Sequence, residues 1–459
     1  MSKENAWLSY SAEELKELSG LCDSYKAFLS ESKTERRAVE NTLLMAEAAG
    51  YRNLETLVKE GTPVKAGDKV YAVGMKKTVA LFHIGETPLR EGMNILGAHI
   101  DSPRIDVKQV PLYEDSEFAY LDTHYYGGIK KYQWVTLPLA MYGVIVKKDG
   151  TVIDVAVGDH DDDPVLGVTD LLIHLSQDQL KKEGAKVVEG EQLDIMIGSK
   201  PLKGAEKDAV KARMLEYFKN FYGIEEDDFI SAELEVVPAG KARDFGLDNS
   251  MIIGYGHDDR VCAYTSLIAL LEEQDIRKTA VCLLTDKEEI GSVGATGAQS
   301  MFFENAVAEI LALMGDGSSL SVRRALQHSR MLSSDVSAAF DPSFPSVMEK
   351  KNAAFFGHGI CFNKFTGRGG KSGSNDANAE YIAVVRRIMD DNHVAFQTAE
   401  LGKVDQGGGG TIAYISARYG MEVLDAGVAV LSMHAPWEIV SKSDVYEAKK
   451  AYRAFLREA

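Results

Sequence analysis

Several apolar, β-branched runs in this chain end abruptly in side chains that can bind a metal ion or move a proton. The clearest examples are MNILGAHID, TAVCLLTDKEE and GVAVLSMHAPWE, and MIIGYGHDDR and RMLSSDV are weaker ones. Their polar ends contribute His99, Asp101, Asp258, Glu288, Glu289, Asp335 and His434. Ligands of α/β sheets collect beyond the carboxyl ends of the strands. We therefore expect an α/β fold in which these side chains converge at one edge of a mixed sheet, with helices on both faces.

Helical patterns lie before and between these runs. Residues 261–272 and 377–389 are predicted helices that cover the sheet. At the start of the chain, Ser11 and Glu14 match a capping box. The apolar residues that recur there at helical spacing are predicted core positions: Leu15, Leu18, Cys22, Tyr25 and Leu29.

Residues 108–245 interrupt the pattern of strand and helix. This stretch contains alternating segments such as LDIMIGS and AELEVVP, and a charged helix is predicted near 207–221. We therefore predict a discontinuous catalytic domain formed by residues 1–107 and 246–459. A smaller, β-rich domain of residues 108–245 is inserted between its two parts.

Size, charge and cysteine usage exclude several classes of protein. The chain has 459 residues, enough for about two or three domains with an ample core. Its formal net charge of −18 argues against binding to nucleic acid or to an anionic membrane surface. Neither a signal peptide nor a run of about 20 apolar residues is present, so we expect a cytoplasmic protein. The cysteines form no CxxC pair, which argues against a disulfide framework and against a zinc–thiolate site.

Two imidazoles and three carboxylates at the predicted strand ends form a set of nitrogen and oxygen ligands without thiolate. The set consists of His99, Asp258, Glu289, Asp335 and His434. Such donors suit zinc, manganese or cobalt. Two divalent ions about 3.5–4 Å apart need a bridging carboxylate and terminal ligands on each ion. Five ligands would meet that need with one Asp as the bridge, and a hydroxide between the metals would be the nucleophile.

The Glu288–Glu289 pair is the most informative dipeptide. Adjacent side chains at a strand end diverge, so one can reach a metal ion while its neighbour meets the attacking water. We assign Glu289 as a metal ligand and Glu288 as the general base. Asp101, two residues beyond His99, is predicted to accept the ring N–H of His99 and so to fix its tautomer.

Each of these motifs has an ordinary explanation when it stands alone. A Glu pair is usually a solvated surface feature, a single HxD is weak, and an Asp–Asp step is usually a turn. The joint occurrence of HID, HDDR, DKEEIGS, SSD and SMHA, in this order, favours a dinuclear metal site.

The motifs are also similar to those of a known enzyme family. GAHIDSPR, GHDDRVCAY, DKEEIGSVGATGA, SSDVSAAFDP and SMHAPWE resemble the aspartyl aminopeptidase family of dinuclear zinc peptidases, in particular its bacterial-type members. The resemblance implies two divalent ions, zinc in the first place, with cobalt and manganese as alternatives. The ligand assignment that it implies is His99 and Asp335 on one ion, Glu289 and His434 on the other, and Asp258 as the bridge. It keeps Glu288 as the base.

The same resemblance implies an assembly. The family has a butterfly-shaped insertion that pairs subunits, and it forms a tetrahedral dodecamer with active sites facing an inner chamber. Residues 108–245 are therefore expected to mediate dimerisation and substrate gating in a homo-oligomer. Within them, DPVLGVTDLLIHLSQ resembles the segment whose His reaches a neighbouring subunit's active site. The match falls on His174, and an ordinary helical His is the alternative.

Two further residues are candidates for substrate binding. Lys364 is either a cation on the substrate side or a solvated loop lysine, and Thr411, after four glycines, is either a substrate contact or part of a flexible turn. The hypothesis is a metal-dependent aminopeptidase that acts on short peptides. The alternatives are another dinuclear amidohydrolase on the same scaffold, such as a carboxypeptidase or deacylase, and a non-catalytic assembly protein.

Overall fold

A computed structural model describes residues 4–459 of the chain. Their contacts form two compact units, which we describe separately. The first unit consists of the chain up to Asp101, Ala242–Met433 and Glu438–Ala459. The second consists of Ser102–Lys241 together with the short segment His434–Trp437.

The strands divide into three sheets, two in the first unit and one in the second. In chain order they are β1 (Arg52–Asn53), β2 (Lys69–Gly74), β3 (Thr78–His83), β4 (Met93–His99), β5 (Arg104–Asp115), β6 (Phe118–Tyr126), β7 (Leu139–Val146), β8 (Val152–Val157), β9 (Ile195–Gly198), β10 (Ala232–Pro238), β11 (Arg243–Phe245), β12 (Met251–Gly254), β13 (Thr279–Thr285), β14 (Arg330–Ser333), β15 (Ser337–Ala338), β16 (Ile360–Asn363), β17 (Phe396–Thr398), β18 (Glu422–Gly427), β19 (Ala429–Leu431) and β20 (Glu438–Ser441).

The α-helices belong to the first unit, apart from α4 in the second. They are α1 (Ala12–Glu31), α2 (Glu35–Ala48), α3 (Leu54–Glu60), α4 (Ala209–Tyr222), α5 (His257–Glu272), α6 (Phe302–Leu313), α7 (Ser319–Gln327), α8 (Ala379–Asp391), α9 (Ala413–Ala417) and α10 (Lys442–Glu458). No helix within residues 4–459 is both long enough and apolar enough to cross a membrane.

A nine-stranded mixed sheet organises the first unit, in the order β1-β2-β3-β13-β4-β14-β18-β16-β17. Its centre is parallel, because β4 pairs in parallel with both β13 and β14. Successive residues of a strand face opposite sides, and the two faces bury different cores. Leu96 packs with residues of α1, α5, α8 and α10, whereas Ile95 packs with residues of α3, α6 and α7. The predicted α/β fold with helices on both faces is confirmed.

Helix α1 begins as the sequence predicts. Ser11 is its N-cap, and a complete capping box joins Ser11 to Glu14. The predicted core residues Leu18, Cys22, Tyr25 and Leu29 are buried. Leu15 is 41% exposed, and its assignment to the core is wrong. Residues 12–17 of α1 are all exposed or half-buried, and the buried face of the helix begins at Leu18.

The second unit is built on a six-stranded sheet in the order β8-β7-β10-β5-β6-β9. Every neighbouring pair in it is antiparallel. Strand β5 continues without a break through residues 107 and 108, where the sequence analysis placed a domain boundary. The two units divide between Asp101 and Ser102, before β5 begins. The sequence pattern does not mark this point, because β4 and β5 are both strands and only their sheet partners differ.

Candidate metal centre

Three parallel strands deliver polar side chains to one edge of the nine-stranded sheet. His99 is the last residue of β4 and pairs with Thr285 of β13. The chain leaves β13 and reaches Glu288 and Glu289 within four residues. Strand β14 ends at Ser333, which pairs with Gly97, so Asp335 follows at the same edge.

Six residues at this edge form three overlapping groups, and within each group the ligand atoms lie within 4.8 Å of one another. The groups are His99–Asp258–Glu289, His99–Glu288–Asp335 and Asp258–Asp259–Asp335. Their members are buried, except the half-buried Glu288 and Glu289. The structure therefore brings together Glu288 and four of the five residues in the predicted ligand set, and it adds Asp259.

His99 presents one ring nitrogen to these carboxylates. Its Nδ1 lies 3.0 Å from the main-chain oxygen of Asp101, so Nδ1 carries the proton and donates it. Its Nε2 lies 3.1 Å from Asp258 Oδ1 and 3.9 Å from Glu288 Oε2. Burial lowers the pKa of His99, but hydrogen bonds with Asp101 and Asp258 outweigh burial and raise it well above its ordinary value. Nε2 and the carboxylate oxygen are both natural acceptors, so either a proton or a metal ion must lie between them.

The carboxylates themselves show that the site requires positive charge. Burial, and next the neighbouring Asp259, raise the pKa of Asp335 well above its ordinary value. Burial and the charge of Asp258 raise the pKa of Asp259 in the same direction, although His99 opposes them. Buried carboxylates so close together repel one another unless a proton or cation neutralises them. The donor set, nitrogen and carboxylate oxygen without thiolate, fits a zinc ion.

The segment His257–Arg260 holds the end of β4 in place. Asp259 Oδ2 accepts the main-chain N–H of His99 at 3.3 Å. The fully buried Arg260 donates to the carbonyl oxygens of Ile100 and Lys33, each at 3.2 Å. His257 Nδ1 lies 2.6 Å from the hydroxyl of Tyr25. Among these four residues, the sequence motifs singled out Asp258 as a ligand. The polar run HDDR at the start of the otherwise apolar α5 was the available signal for the other three.

Glu438 was also missed by the sequence analysis. It lies at the start of β20, is almost fully buried, and its Oε2 accepts the main-chain N–H of Asp258 at 3.0 Å. Its position four residues after the predicted ligand His434 was the only hint in the sequence. Through this bond to the main chain, Glu438 orients Asp258, the residue predicted to bridge the metals.

Two of the predicted residues belong to the second unit. His434 lies in its segment His434–Trp437 and has a positive φ of 65°. Its Nδ1 is 3.0 Å from the carbonyl oxygen of Gly128. It is not a member of the three groups found within residues 4–459. His174 is exposed in a 3-10 turn, Ile173–Leu175, whose apolar side chains are also exposed.

The two remaining substrate candidates have partners within the first unit. The ammonium group of Lys364 forms an ion pair with Asp376. Lys364 follows β16. Strand β18 runs parallel to β14, which leads to Asp335, and β16 runs antiparallel to β18, so the end of β16 that carries Lys364 lies away from the edge that holds Asp335. Thr411 is buried and donates its hydroxyl to Asp425 Oδ1 at 2.7 Å.

Gly427 gives a direct test of how tightly the site is packed. A Cβ atom at Gly427 would lie 1.9 Å from the carbonyl oxygen of Asp335, which is main chain and cannot rotate away. We expect Gly427→Ala to displace Asp335 and to lower zinc affinity at least tenfold, as measured by competition with a chelating dye. Gly20→Ala in α1 is the control, because nothing lies within 4 Å of its added Cβ. That substitution should stabilise the helix by about 1 kcal/mol and leave zinc affinity unchanged.

The parallel strands and the carboxylates at their ends define a class of protein. A buried imidazole, buried carboxylates and a half-buried glutamate beside them form the type of site that metal-dependent hydrolases use.

Comparison with known proteins identifies the family. Residues 28–456 match the M18 family, described as aminopeptidase I zinc metalloprotease. The "Probable M18 family aminopeptidase 1" of Clostridium acetobutylicum is 61% identical over 454 residues, which cover 99% of this chain and 98% of that protein. The chain belongs to the M18 family of zinc metalloproteases and is a metallopeptidase. The resemblance seen in the sequence motifs is confirmed.

Solved structures agree with this identification. The crystal structure of aminopeptidase I from Clostridium acetobutylicum has a TM-score of 0.92 and 59% identity, covering 99% of this chain and 98% of that one. An M18 aminopeptidase from Thermotoga maritima has a TM-score of 0.95 and 42% identity, with both chains covered completely.

Proposed function

We propose that this chain removes the amino-terminal residue from short peptides with the help of two divalent metal ions. The observation that supports this most directly is the half-buried Glu288 beside a buried cluster of His99 and carboxylates. Membership of the M18 family supports the choice of an aminopeptidase over a carboxypeptidase or deacylase.

The residues that would hold the metals are His99, Asp258, Glu289 and Asp335. Asp258 belongs to two of the three groups, which fits the bridging role predicted for it. His434 remains a prediction from the sequence as the fifth ligand. The resident ions, zinc in our proposal, supply Lewis acidity, which polarises the peptide carbonyl and lowers the pKa of the attacking water.

The proton transfers fall to Glu288 in this proposal. Its side chain is 16% exposed, so it is accessible to a substrate at the edge of the cluster. Glu288 Oε2 accepts the proton of the attacking water and then donates it to the leaving amine. His99 contributes through orientation, because its Nδ1–H bond to the Asp101 carbonyl keeps Nε2 directed at Asp258.

The second unit is proposed to mediate subunit pairing and to present His174 to a neighbouring active site. Its exposed segment includes Leu172, Ile173 and Leu175, which are 53%, 66% and 68% exposed. Exposed apolar groups in this number favour contact with another protein surface. A tetrahedral dodecamer is the assembly that we propose, and the yeast mApe1 dodecamer, at 20% identity, shares this fold.

The described cysteines agree with the expected cytoplasmic location. Cys22, Cys262, Cys282 and Cys361 are all free and buried. Unpaired cysteines are usual where the surroundings keep thiols reduced.

The preference for the amino-terminal residue is proposed to be broad instead of acidic. Lys364 follows β16, whose carboxyl end lies away from the sheet edge that holds Asp335, so its positive charge is not presented to an acidic substrate at that edge. The chain's net charge of −18 also repels acidic peptides. We expect Asp and Glu substrates to be hydrolysed no faster than Leu or Ala substrates. A panel of aminoacyl fluorogenic substrates, with the apo-enzyme reloaded with zinc, cobalt or manganese, measures this preference.

A blocked substrate tests the reaction class. We expect a peptide with a free amino terminus to be cleaved at least about 100-fold faster than its N-acetylated form, because the site must accommodate the free amine. Product analysis by mass spectrometry should show loss of one residue from the amino end. Equal rates on both peptides, or release of carboxy-terminal residues, would show that the aminopeptidase assignment is wrong.

A further inference from the structure

The carboxylate of Asp101 connects two separate parts of the metal centre. Its side chain is fully buried. Oδ1 accepts the main-chain N–H of Glu288 at 3.1 Å, and Oδ2 accepts that of Glu289 at 3.2 Å. These bonds join the chain after β4 to a turn that lies 187 and 188 residues further along.

The turn that contains the two glutamates needs such a partner. Lys287, just before it, has a positive φ of 69°, which is unusual for a residue with a side chain. Glu288–Ile290 then form a single 3-10 turn. The first N–H groups of a helical turn have no acceptor within the turn itself. Asp101 supplies one acceptor oxygen to the N–H group of Glu288 and the other to that of Glu289, and the side chains of these two residues face the cluster.

The His99 ring does not depend on the Asp101 side chain alone. Its Nδ1–H is accepted by the main-chain oxygen of Asp101 at 3.0 Å, and a carboxylate oxygen of Asp101 lies 3.3 Å from the same nitrogen. A substitution of the Asp101 side chain therefore removes one contact to His99 but leaves the main-chain acceptor in place. The action of Asp101 on the glutamates can thus be tested while His99 keeps the hydrogen bond that fixes its tautomer.

We infer that Asp101 is a positioning residue for Glu288 and Glu289, which it aligns by holding their two main-chain N–H groups. This inference deepens the proposed function and rests on it, since it assumes that Glu288 is the base and Glu289 a ligand. A displacement of about 1 Å in a catalytic group costs roughly 100-fold in rate. Asp101 thus acts through the glutamates, with no contact of its own to the substrate.

Asp101→Asn is the variant that tests this inference, measured in the full-length zinc-loaded enzyme. The amide has nearly the same size, but its NH2 group faces one of the two N–H groups that the carboxylate accepts. We expect kcat to fall about 100-fold with KM within threefold of the wild-type value. The acid limb of the kcat–pH profile should shift, because it reports the base. Asp248→Asn, at an exposed turn where Asp248 accepts the N–H of Ser250, should leave kcat and the profile unchanged.

A double substitution shows whether Asp101 acts through Glu288. If it does, adding Asp101→Asn to Glu288→Gln should lower the residual rate less than threefold, because the group that Asp101 positions is already inactive. Asp101→Ala, measured in parallel and checked for folding by circular dichroism, should repeat this result.

Two outcomes would overturn the inference alone. One is a wild-type kcat and pH profile for both Asp101 variants while Glu288→Gln is inactive. The other is a full 100-fold further loss in the double variant while its zinc content stays at the wild-type level, which would place the action of Asp101 on a group other than Glu288 and Glu289. If Glu288→Gln retains wild-type turnover, the proposed function fails and the inference fails with it.

Discussion

Replacing Glu288 by glutamine is expected to lower kcat by about 100- to 10,000-fold while the zinc content stays unchanged. The amide has the shape of the carboxylate but cannot accept and return a proton. Glu288 Oε2 lies 3.9 Å from His99 Nε2, close to the cluster, and its side chain is partly exposed to a substrate. The geometry also places Glu288 in one of the three possible ligand groups, with His99 and Asp335. The experiment therefore separates a base from a ligand.

Zinc content by plasma mass spectrometry and kcat on a Leu substrate are measured together for this variant. Glu289→Gln is the matched comparison, because it changes the neighbouring carboxylate in the same way. We expect Glu289→Gln to lose zinc from one position, since Glu289 belongs to the group with His99 and Asp258. If Glu288→Gln loses zinc and Glu289→Gln retains it, the two roles are the reverse of those proposed. Wild-type turnover by Glu288→Gln would rule out the mechanism.

Replacing Asp335 by asparagine is expected to stabilise the metal-free protein and to remove most of its stabilisation by zinc. In the metal-free state Asp335 is buried within reach of Asp258 and Asp259, so removing one charge relieves repulsion. In the wild type, a ligand at 100 times its Kd adds about 2.7 kcal/mol to the free energy of unfolding. A carboxamide is a much weaker zinc ligand, so this increment should be lost. Function and stability therefore conflict at this residue.

Thermal unfolding midpoints with excess chelator and with excess zinc measure both effects. We expect a higher midpoint for Asp335→Asn than for the wild type in chelator, and a lower one in zinc. Asp444→Asn is the control, since Asp444 is buried but accepts main-chain N–H groups of Gly357 and Gly359, outside the groups at the sheet edge. Its zinc-dependent shift should equal that of the wild type. A wild-type shift for Asp335→Asn would exclude Asp335 as a ligand.

The convergence of the site could be predicted because strand direction is a strong constraint. Parallel strands that each end in a ligand bring those ends to one edge, and this is how His99, Glu289 and Asp335 meet. Residue type was sufficient to name the metal class, because nitrogen and oxygen donors without thiolate suit few ions. Helix α1 could be predicted from its capping box, whose two partners are three residues apart.

Contacts between distant segments could not be predicted in this way. Asp259 and Arg260 look like ordinary turn or surface residues in the sequence, yet both are buried because they hold the main chain of β4. Lys364 forms an ion pair with Asp376, twelve residues away across a glycine-rich loop, and Asp376 also pairs with Lys371. Leu15 has the spacing of a core residue but lies in the exposed first part of α1, before the buried face begins at Leu18.

The fold class, the chemistry of the donor set and most of the residues that meet at the sheet edge follow from the sequence. They depend on local periodicity, on residue type and on the rule that parallel strands share an edge. The contacts of Asp101 emerge only in the folded chain, because its partners are two main-chain N–H groups 187 and 188 residues away. Every residue except proline has such a group, so no pattern of side chains can reveal which ones a buried carboxylate will accept.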